Sequence, residues 1–322
     1  MQYVKKNRKN QENQRGAVII FVAVTMVVFI GLLALAIDVG FLMAARNELQ
    51  NSADSAALAG ASQLARDKDV NTIKQAAVKA AGLNKASNTN INLSPGDIEL
   101  GRWNWDSDSV DAFINGATPF NAVKANIENH NVNLIFRSDR LLGANAVAIV
   151  GPISGMRGLI PIAVTEVEIE GIIEAGGGII YEIDRSAGNW GTVDFDSPDT
   201  PGGPGGGVPE IGDRLKNGYD GNINIGDEIY TETGVGKIVG GGNYQIVEDL
   251  IGKRLIIPVI DQFGSGMSIS EVRGFVAIEI TAIDGKGANT TISVKYHGKA
   301  LIGGDVDLGV QNFGVVGVKL VK

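Results

Sequence analysis

Side chains that could bind a metal ion occur in two acidic stretches of the sequence. In the first, Asp220, Asn222 and Asn224 stand at alternate positions, as the oxygen ligands of a calcium loop do. The sixth position of such a loop is Ile225 instead of glycine, however, and no glutamate stands at the twelfth. The second group comprises Asp194, Asp196 and Asp199. A calcium site at either place is one alternative, but we favour solvated turn residues and assign no metal site.

Groups that could carry catalysis are few. The two histidines, His130 and His297, are far apart, and neither has a second histidine at the spacing of a helical metal site. The absence of cysteine excludes disulfides, thiol nucleophiles and thiolate ligands. Segments 151–155 (GPISG) and 264–268 (GSGMS) do not fit the Gly-x-Ser-x-Gly pattern of a serine hydrolase. We therefore expect no enzymatic activity and no cofactor.

The charge of the chain is divided between a short basic leader and a long acidic remainder. The formal net charge is −8, but residues 1–15 carry five basic side chains against Glu12 alone. The leader is thus +4, and the rest of the chain sums to −12. Binding to nucleic acid needs clustered cations along the phosphates, and none occur beyond the leader. We expect no nucleic-acid partner.

An uncharged run follows the leader. Residues 17–37 are 21 consecutive uncharged residues between Arg15 and Asp38, and as a helix they would span about 32 Å, close to the hydrocarbon core of a bilayer. We predict a cytoplasmic leader (1–15) and a single transmembrane helix (16–40) in the cytoplasmic membrane. The basic leader favours a C-terminal body outside, in the periplasm or at the cell surface.

The alternative for this run is a secretory signal that is cleaved. Ala34-Leu35-Ala36 offers a small-x-small cleavage site. The uncharged run is longer than the usual core of a signal peptide, which favours an anchor that is retained.

Small residues continue beyond the apolar run. Ala36, Gly40 and Ala44 recur every four residues, a spacing that lets membrane helices approach closely. Residues 41–65 are good helix formers with a narrow stripe of small apolar side chains, and a second helical run at 70–84 contains Gly82 as a C-terminal cap. We predict a helical stalk over 41–84 that packs closely against a similar helix.

Three motifs in this part of the chain are specific. They are the Arg15-Gly16 start, Asp38-Val39-Gly40, and the run LQNSADSAALAGA at 49–61. Together they resemble the N-terminal segment of the TadE/TadG-like proteins of tight-adherence (Flp) pilus assembly. The resemblance implies a membrane-anchored component whose partners are other Tad/Flp pilus-assembly proteins or minor pilins, with a homo- or hetero-oligomer formed through the N-terminal helix. We expect the partner-facing residues to be Gly16, Ala36, Asp38, Gly40, Ala44, Leu49, Asn51, Ala53, Asp54, Ala57 and Gly60.

The sequence departs from two patterns known in such systems. Prepilin-like members resemble substrates of a peptidase that cuts after a glycine and requires glutamate five residues later. If Gly16 were that glycine, the fifth position would be Phe21, which favours the uncut, TadG-like form. Some TadG-like proteins also carry a von Willebrand type A domain with an Asp-x-Ser-x-Ser metal motif. The segment DRSAG at 184–188 lacks its second serine, so that site is not assigned.

From about residue 91 the pattern alternates, which is typical of strands. Strands are predicted at 97–106, 122–128, 159–173, 177–184 and 190–196 and in five later segments, with one short helix at 244–251. Residues 132–150 fit either a strand or a short helix. A Pro/Gly tract at 197–210, which we interpret as a loop or linker, divides a first β-rich region (91–196) from a C-terminal one (211–322). The predicted class is α+β, with a body that is a sandwich or partly open barrel, antiparallel or mixed.

Three classes of function are consistent with these features. We favour a non-enzymatic, membrane-anchored component of a Tad/Flp-type pilus assembly or secretion system, whose body docks or adheres. A membrane-anchored surface adhesin or carbohydrate-binding module unrelated to pili is the first alternative. An anchored hydrolase is the second, and it lacks a recognisable catalytic group.

Overall fold

The structure is a computed structural model that describes residues 3–104, 112–134, 139–176, 180–183, 188–196, 207–285 and 289–321, the first fifteen of these by their backbone alone. The predicted α+β class is confirmed, because a long N-terminal helix precedes a β-rich body. The candidate ligand Asp199 lies outside the described residues, as do most of the tract 197–210 and most of the segment DRSAG at 184–188.

The elements are named in chain order. The helices are α1 (Tyr3–Leu64), α2 (Val70–Gly82), α3 (Glu166–Glu174), α4 (Val208–Asn217) and α5 (Asn243–Asp249). The strands up to the middle of the chain are β1 (Lys85–Ala86), β2 (Thr89–Asn90), β3 (Ile98–Trp103), β4 (Phe113–Asn115), β5 (Ala122–Val132), β6 (Arg140–Met156), β7 (Ile162–Thr165), β8 (Ile180–Ile183) and β9 (Trp190–Asp194). The later strands are β10 (Ile223–Asn224), β11 (Glu228–Thr233), β12 (Arg254–Ile260), β13 (Met267–Asp284), β14 (Thr291–Tyr296), β15 (Ala300–Leu301), β16 (Asp305–Val306) and β17 (Val315–Leu320).

Helix α1 is one unbroken element of 62 residues. It contains no proline and consists mostly of strong helix formers, and at about 1.5 Å per residue it is roughly 93 Å long. The predicted membrane helix and the first part of the predicted stalk are therefore a single rod. The chain then reverses into α2, whose N-cap is Asp69. The carboxylate of Asp69 accepts hydrogen bonds from the hydroxyl and the backbone N–H of Thr72, which lowers the pKa of Asp69.

The second half of α1 packs within the chain. Ala53 and Ala57 are fully buried against α2 and the first sheet, in a cluster that also includes Ala77 of α2 and Val123 of β5. A Cβ atom on Gly60 would lie 2.8 Å from a methyl carbon of Val123, so only glycine fits there without a shift. The predicted close packing is found, but its partners are the chain's own helix and sheet.

The first sheet has the strand order β15-β17-β6-β5-β3-β4, and β10 and β16 also pair with β6. All of its pairs are antiparallel except β15 with β17. Strand β6 is its longest element and pairs with β5, which precedes it, and with β10, β16 and β17 from the last third of the chain. The N-terminal and C-terminal parts of the body are therefore joined through one sheet.

The second sheet has the order β11-β9-β7-β12-β13-β14-β8. Strand β11 pairs with β13 as well as with β9, so five strands close into a ring. Of the two predicted arrangements, sandwich and barrel, the closed ring corresponds to the barrel. The sheet is mixed, because β7 and β12 are parallel. Helices α3, α4 and α5 cover one side of it through an apolar cluster that includes Ile169, Leu215 and Val247.

A third cluster joins the two sheets. Ile153 of β6 and Val315 of β17 are buried together with Val272 and Phe275 of β13 and Phe195. Because these side chains come from both sheets, the predicted regions on either side of the Pro/Gly tract share a core.

Two predicted features differ from the structure. Residues 159–173 were predicted as a strand, but the strand ends at Thr165 and α3 follows. Its alternating pattern also places Ile169 and Ile172 on one helical face, where both are buried, and two glutamates favour the first helical turn. Helix α4 was not predicted, although it begins inside the Pro/Gly tract with Pro209 in its first turn, a position that proline favours.

Replacing Gly60 tests the packing of α1 on the body. Gly60→Ala places a Cβ atom against Val123, and we expect the free energy of unfolding to fall by about 1–3 kcal/mol. Chemical denaturation of the detergent-solubilised protein measures it. Gly40→Ala is the matched control, since a Cβ atom there meets nothing within 4 Å. Equal stability of the two variants would contradict the packing described here.

Candidate functional site

Residues 18–43, in the middle of α1, expose large apolar side chains around most of the helix circumference. Between Val18 and Met43, eighteen large apolar side chains are 41–72% exposed. The helix is long and apolar enough to cross a membrane. This exposed stretch extends over about 39 Å at 1.5 Å per residue, and soluble proteins rarely expose apolar surface on that scale.

One face of this helix nevertheless touches the body before the exposed stretch ends. Ala34, Asp38, Ala45 and Leu49 are buried, with 8%, 4%, 1% and 0% of their surface exposed. Their spacing of four and seven residues places them on one side of the helix. Asp38 is engaged in an interaction within the chain. On this side of the helix, the body therefore extends as far toward the N-terminus as Asp38.

Of the three small residues predicted to contact a partner, Ala36 and Gly40 lie on the opposite side and Ala44 lies beside the buried face. Ala36, Gly40 and Ala44 are exposed, and a Cβ atom on Gly40 would meet nothing within 4 Å. Ala36 and Gly40 each follow a body-facing residue by two positions, which is about 200° around the helix. This strip of small residues is thus free along the side that the body leaves open.

The other residues predicted to contact a partner lie in several different environments. Leu49, Ala53, Ala57 and Gly60 are buried inside the chain, so these positions serve intramolecular packing. Asn51 is exposed. Asp54 is half-buried and accepts a hydrogen bond from the Gln50 amide at 2.8 Å. Gly16 is part of α1, but its surroundings lie outside the described part of the chain.

Two of the carboxylates considered as calcium ligands, Asp194 and Asp196, lie with Glu210 around an arginine. Asp194 at the end of β9, Asp196 and Glu210 of α4 present oxygens within 4.8 Å of one another. Arg214 lies among them: one nitrogen donates to Asp194 at 2.6 Å, and another donates to Asp196 at 2.9 Å and to Glu210. The guanidinium thus supplies the positive charge that a metal ion would otherwise provide. The sequence analysis missed Arg214, although the Glu210–Arg214 spacing of four residues is a recognisable ion-pair signal.

The surroundings of Arg214 keep it charged. Burial alone would lower its pKa, but the hydrogen bond and charge of Asp194, together with the charges of Glu210 and Asp196, raise it above its usual value. The guanidinium also lies 5.3 Å from the ring centre of Tyr219, which stacks on Phe195. Burial raises the pKa of Tyr219, and the Arg214 charge opposes that shift. This cluster fixes α4 to the end of β9.

The other candidate ligands have contacts of their own. The Asn222 amide donates to Asn224 at 2.7 Å, and Asp227 accepts from the backbone N–H of Asn224 at 2.7 Å, which is the geometry of a polar turn. His130 lies 3.1 Å from the carbonyl oxygen of Ala86, and His297 pairs with Glu279. His130 belongs to β5 of the first sheet, and His297 directly follows β14 of the second.

The geometry defines a protein with one long helix that has an uncovered apolar stretch at residues 18–43 and joins a folded core in the residues that follow. Comparison with protein families gives two matches. Residues 16–63 match the family described as Flp pilus-assembly TadE/G-like, and residues 59–149 match the one described as Tad-like Flp pilus-assembly. The predicted resemblance to the TadE/TadG-like family is thus confirmed, and a Tad/Flp pilus-associated role is supported. Searches of the curated proteins and of the solved structures found no match.

Removing the internal cation tests the role of Arg214. Arg214→Ala leaves three carboxylates facing one another, and we expect the free energy of unfolding to fall by about 3 kcal/mol. Calcium should raise the melting temperature of this variant, because the vacated space is lined with oxygen ligands. The melting temperature of the unmodified chain should not respond to calcium or EDTA.

The matched control is Arg273→Ala, which breaks the exposed ion pair with Glu271 and should cost less than about 1 kcal/mol. A wild-type protein that loses stability in EDTA would show that the cluster holds a metal ion after all.

Proposed function

We propose that this chain is a non-enzymatic, membrane-anchored component of a Tad/Flp-type pilus assembly or secretion system. The observation that carries the proposal is the uncovered apolar stretch of α1 in a chain whose residues 16–149 match two Tad pilus-assembly families. The helix anchors the protein and meets the helices of other components. The body outside the membrane acts as a docking or adhesive module.

The anchor follows from the composition and exposure of α1. Fourteen of residues 17–37 are Val, Ile, Leu or Phe, and at roughly 0.3–0.6 kcal/mol each they favour insertion by about 4–8 kcal/mol. Their side chains face outward throughout the described part of this run, so lipid can cover them without any rearrangement of the body. The bilayer then ends near Asp38, where the body begins to cover the helix.

The orientation follows from charge. The leader carries +4 and the remainder −12, and basic segments next to a membrane helix stay in the cytoplasm. The N-terminus is therefore inside and the body is extracytoplasmic.

The partner surface is the exposed small-residue strip of Ala36, Gly40 and Ala44. The strip crosses the outer edge of the bilayer, and small residues at this spacing let the backbones of two helices approach closely. Ala36 and Gly40 lie opposite the body-facing side, so a second helix can approach the strip without meeting the body. Since α1 continues into the core of the body, a contact made at this strip also fixes the orientation of the body.

Membrane extraction and reporter fusions test the anchor and its orientation. We expect the full chain to stay with membranes in alkaline carbonate, because its helix is held by lipid. A phosphatase that requires export should be active when fused after Lys322 and inactive when fused before Met1. A mature chain that begins at Ile37 and is released by carbonate would establish the cleaved signal instead.

A pair of glycine substitutions tests the partner surface. Gly40→Leu fills the small-residue strip, and we expect at least a tenfold loss in co-purification with its Tad partners. Gly31→Leu is the matched control: it is the same change in the same helix, also with nothing within 4 Å, but about half a turn away around the axis. If both variants co-purify at wild-type yield, the strip is not the partner surface.

A further inference from the structure

A polar cleft of about 620 Å³ lies beside the distal half of β5. Strand β3 pairs with residues 122–125 of β5, and within the described chain the rest of β5 pairs with β6 alone. The cleft occupies the place that a longer β3 would fill. Its opposite wall is formed by β2 and the residues that follow it. Its volume is within the range of about 300–1,000 Å³ that is usual for ligand sites.

A bulge shapes the floor of this cleft. The register of β5 with β6 shifts between Ile127 and His130, and Asn129 has a φ of +57°. The ring of His130 lies 3.1 Å from the carbonyl oxygen of Ala86 and so ties the bulge to the β1–β2 hairpin. A bulge disrupts the regular ladder that an added strand would need, so this edge is a poor site for binding an extended peptide.

The chemistry of the walls restricts the class of ligand. Nine of the twelve lining residues are polar, and none is lysine or arginine. Asn90, Asn92, Glu128 and Asn129 are exposed to the cleft, and their side chains make no hydrogen bond to the described part of the chain. Each amide offers both donors and an acceptor, and the carboxylate accepts from two directions. The lack of cations disfavours an anionic ligand, and the polar walls disfavour an apolar one.

We propose that this cleft binds a neutral glycan through its hydroxyl groups. A sugar hydroxyl both donates and accepts hydrogen bonds, and so do the side-chain amides that line the cleft. The Glu128 carboxylate accepts hydrogen bonds from neighbouring hydroxyls. The site lies in the segment that matches the Tad-like family. It goes beyond the assembly role, because it gives the extracytoplasmic body a ligand that is independent of the helix surface.

The experiment is a calorimetric titration of the full chain in a detergent without a sugar headgroup. The probes are neutral tetrasaccharides of glucose and of N-acetylglucosamine, with a tetrasaccharide of glucuronic acid as the anionic comparison. We expect saturable binding of at least one neutral probe and weaker binding of the acidic one, since Glu128 and Asp97 repel it. Absence of saturable binding, or preference for the acidic probe, would overturn the proposal.

Two asparagines with left-handed backbones provide matched variants. Asn129→Gly removes an amide from the cleft and keeps the backbone conformation, which glycine adopts readily. Asn88→Gly makes the same change at φ +61°, outside the cleft lining. For Asn129→Gly we expect glycan binding to be about fivefold to tenfold weaker, as for one lost hydrogen bond. For Asn88→Gly we expect the affinity of the unmodified chain. Equal affinities of the two variants would refute the assignment, and their melting temperatures show that both fold.

Discussion

The close packing of small side chains in the second half of α1 is the contact on which the architecture depends. Ala53, Ala57 and Gly60 let the helix axis lie directly on α2 and β5, where Val123 leaves no room for a Cβ atom on Gly60. Because the same unbroken helix includes the exposed apolar stretch, the body is held at a fixed angle to that stretch. A flexible linker at this point would let the two parts reorient independently.

The small residues of α1 lie in two different environments. Small residues after Ala45 are buried inside the chain, whereas Ala36, Gly40 and Ala44 are exposed. Sequence spacing alone cannot separate these groups, since both are small residues at helical intervals. The separation comes from the body, which covers the side of Ala34 and Asp38 and leaves the opposite side open.

Elements with a single kind of surroundings could be predicted from the sequence. Elements that are covered on both faces, or that contact distant parts of the chain, could not. Helices α1 and α2 follow from long runs of helix formers. Strand β6 was ambiguous because both of its faces are covered: Ala146 and Ala148 face one cluster, Val147 and Ile149 another, and the alternation of polar and apolar residues is lost. The Arg214 cluster joins Asp194 of β9 to α4, twenty residues later, and no local pattern encodes such a contact.

The segment that matches the Tad families does not form a complete structural unit. The match ends at residue 149, in the middle of β6. The edge of β6 that does not pair with β5 pairs with β17, at the far end of the chain. Val318 and Leu320 of β17 also pack on the cluster beneath α1, and Lys299 pairs with Asp67 in the turn between α1 and α2. Without these contacts, the edge of β6 would expose unpaired backbone groups and apolar surface. The C-terminal half therefore completes the sheet on which the helix rests, rather than forming a separate domain attached to it.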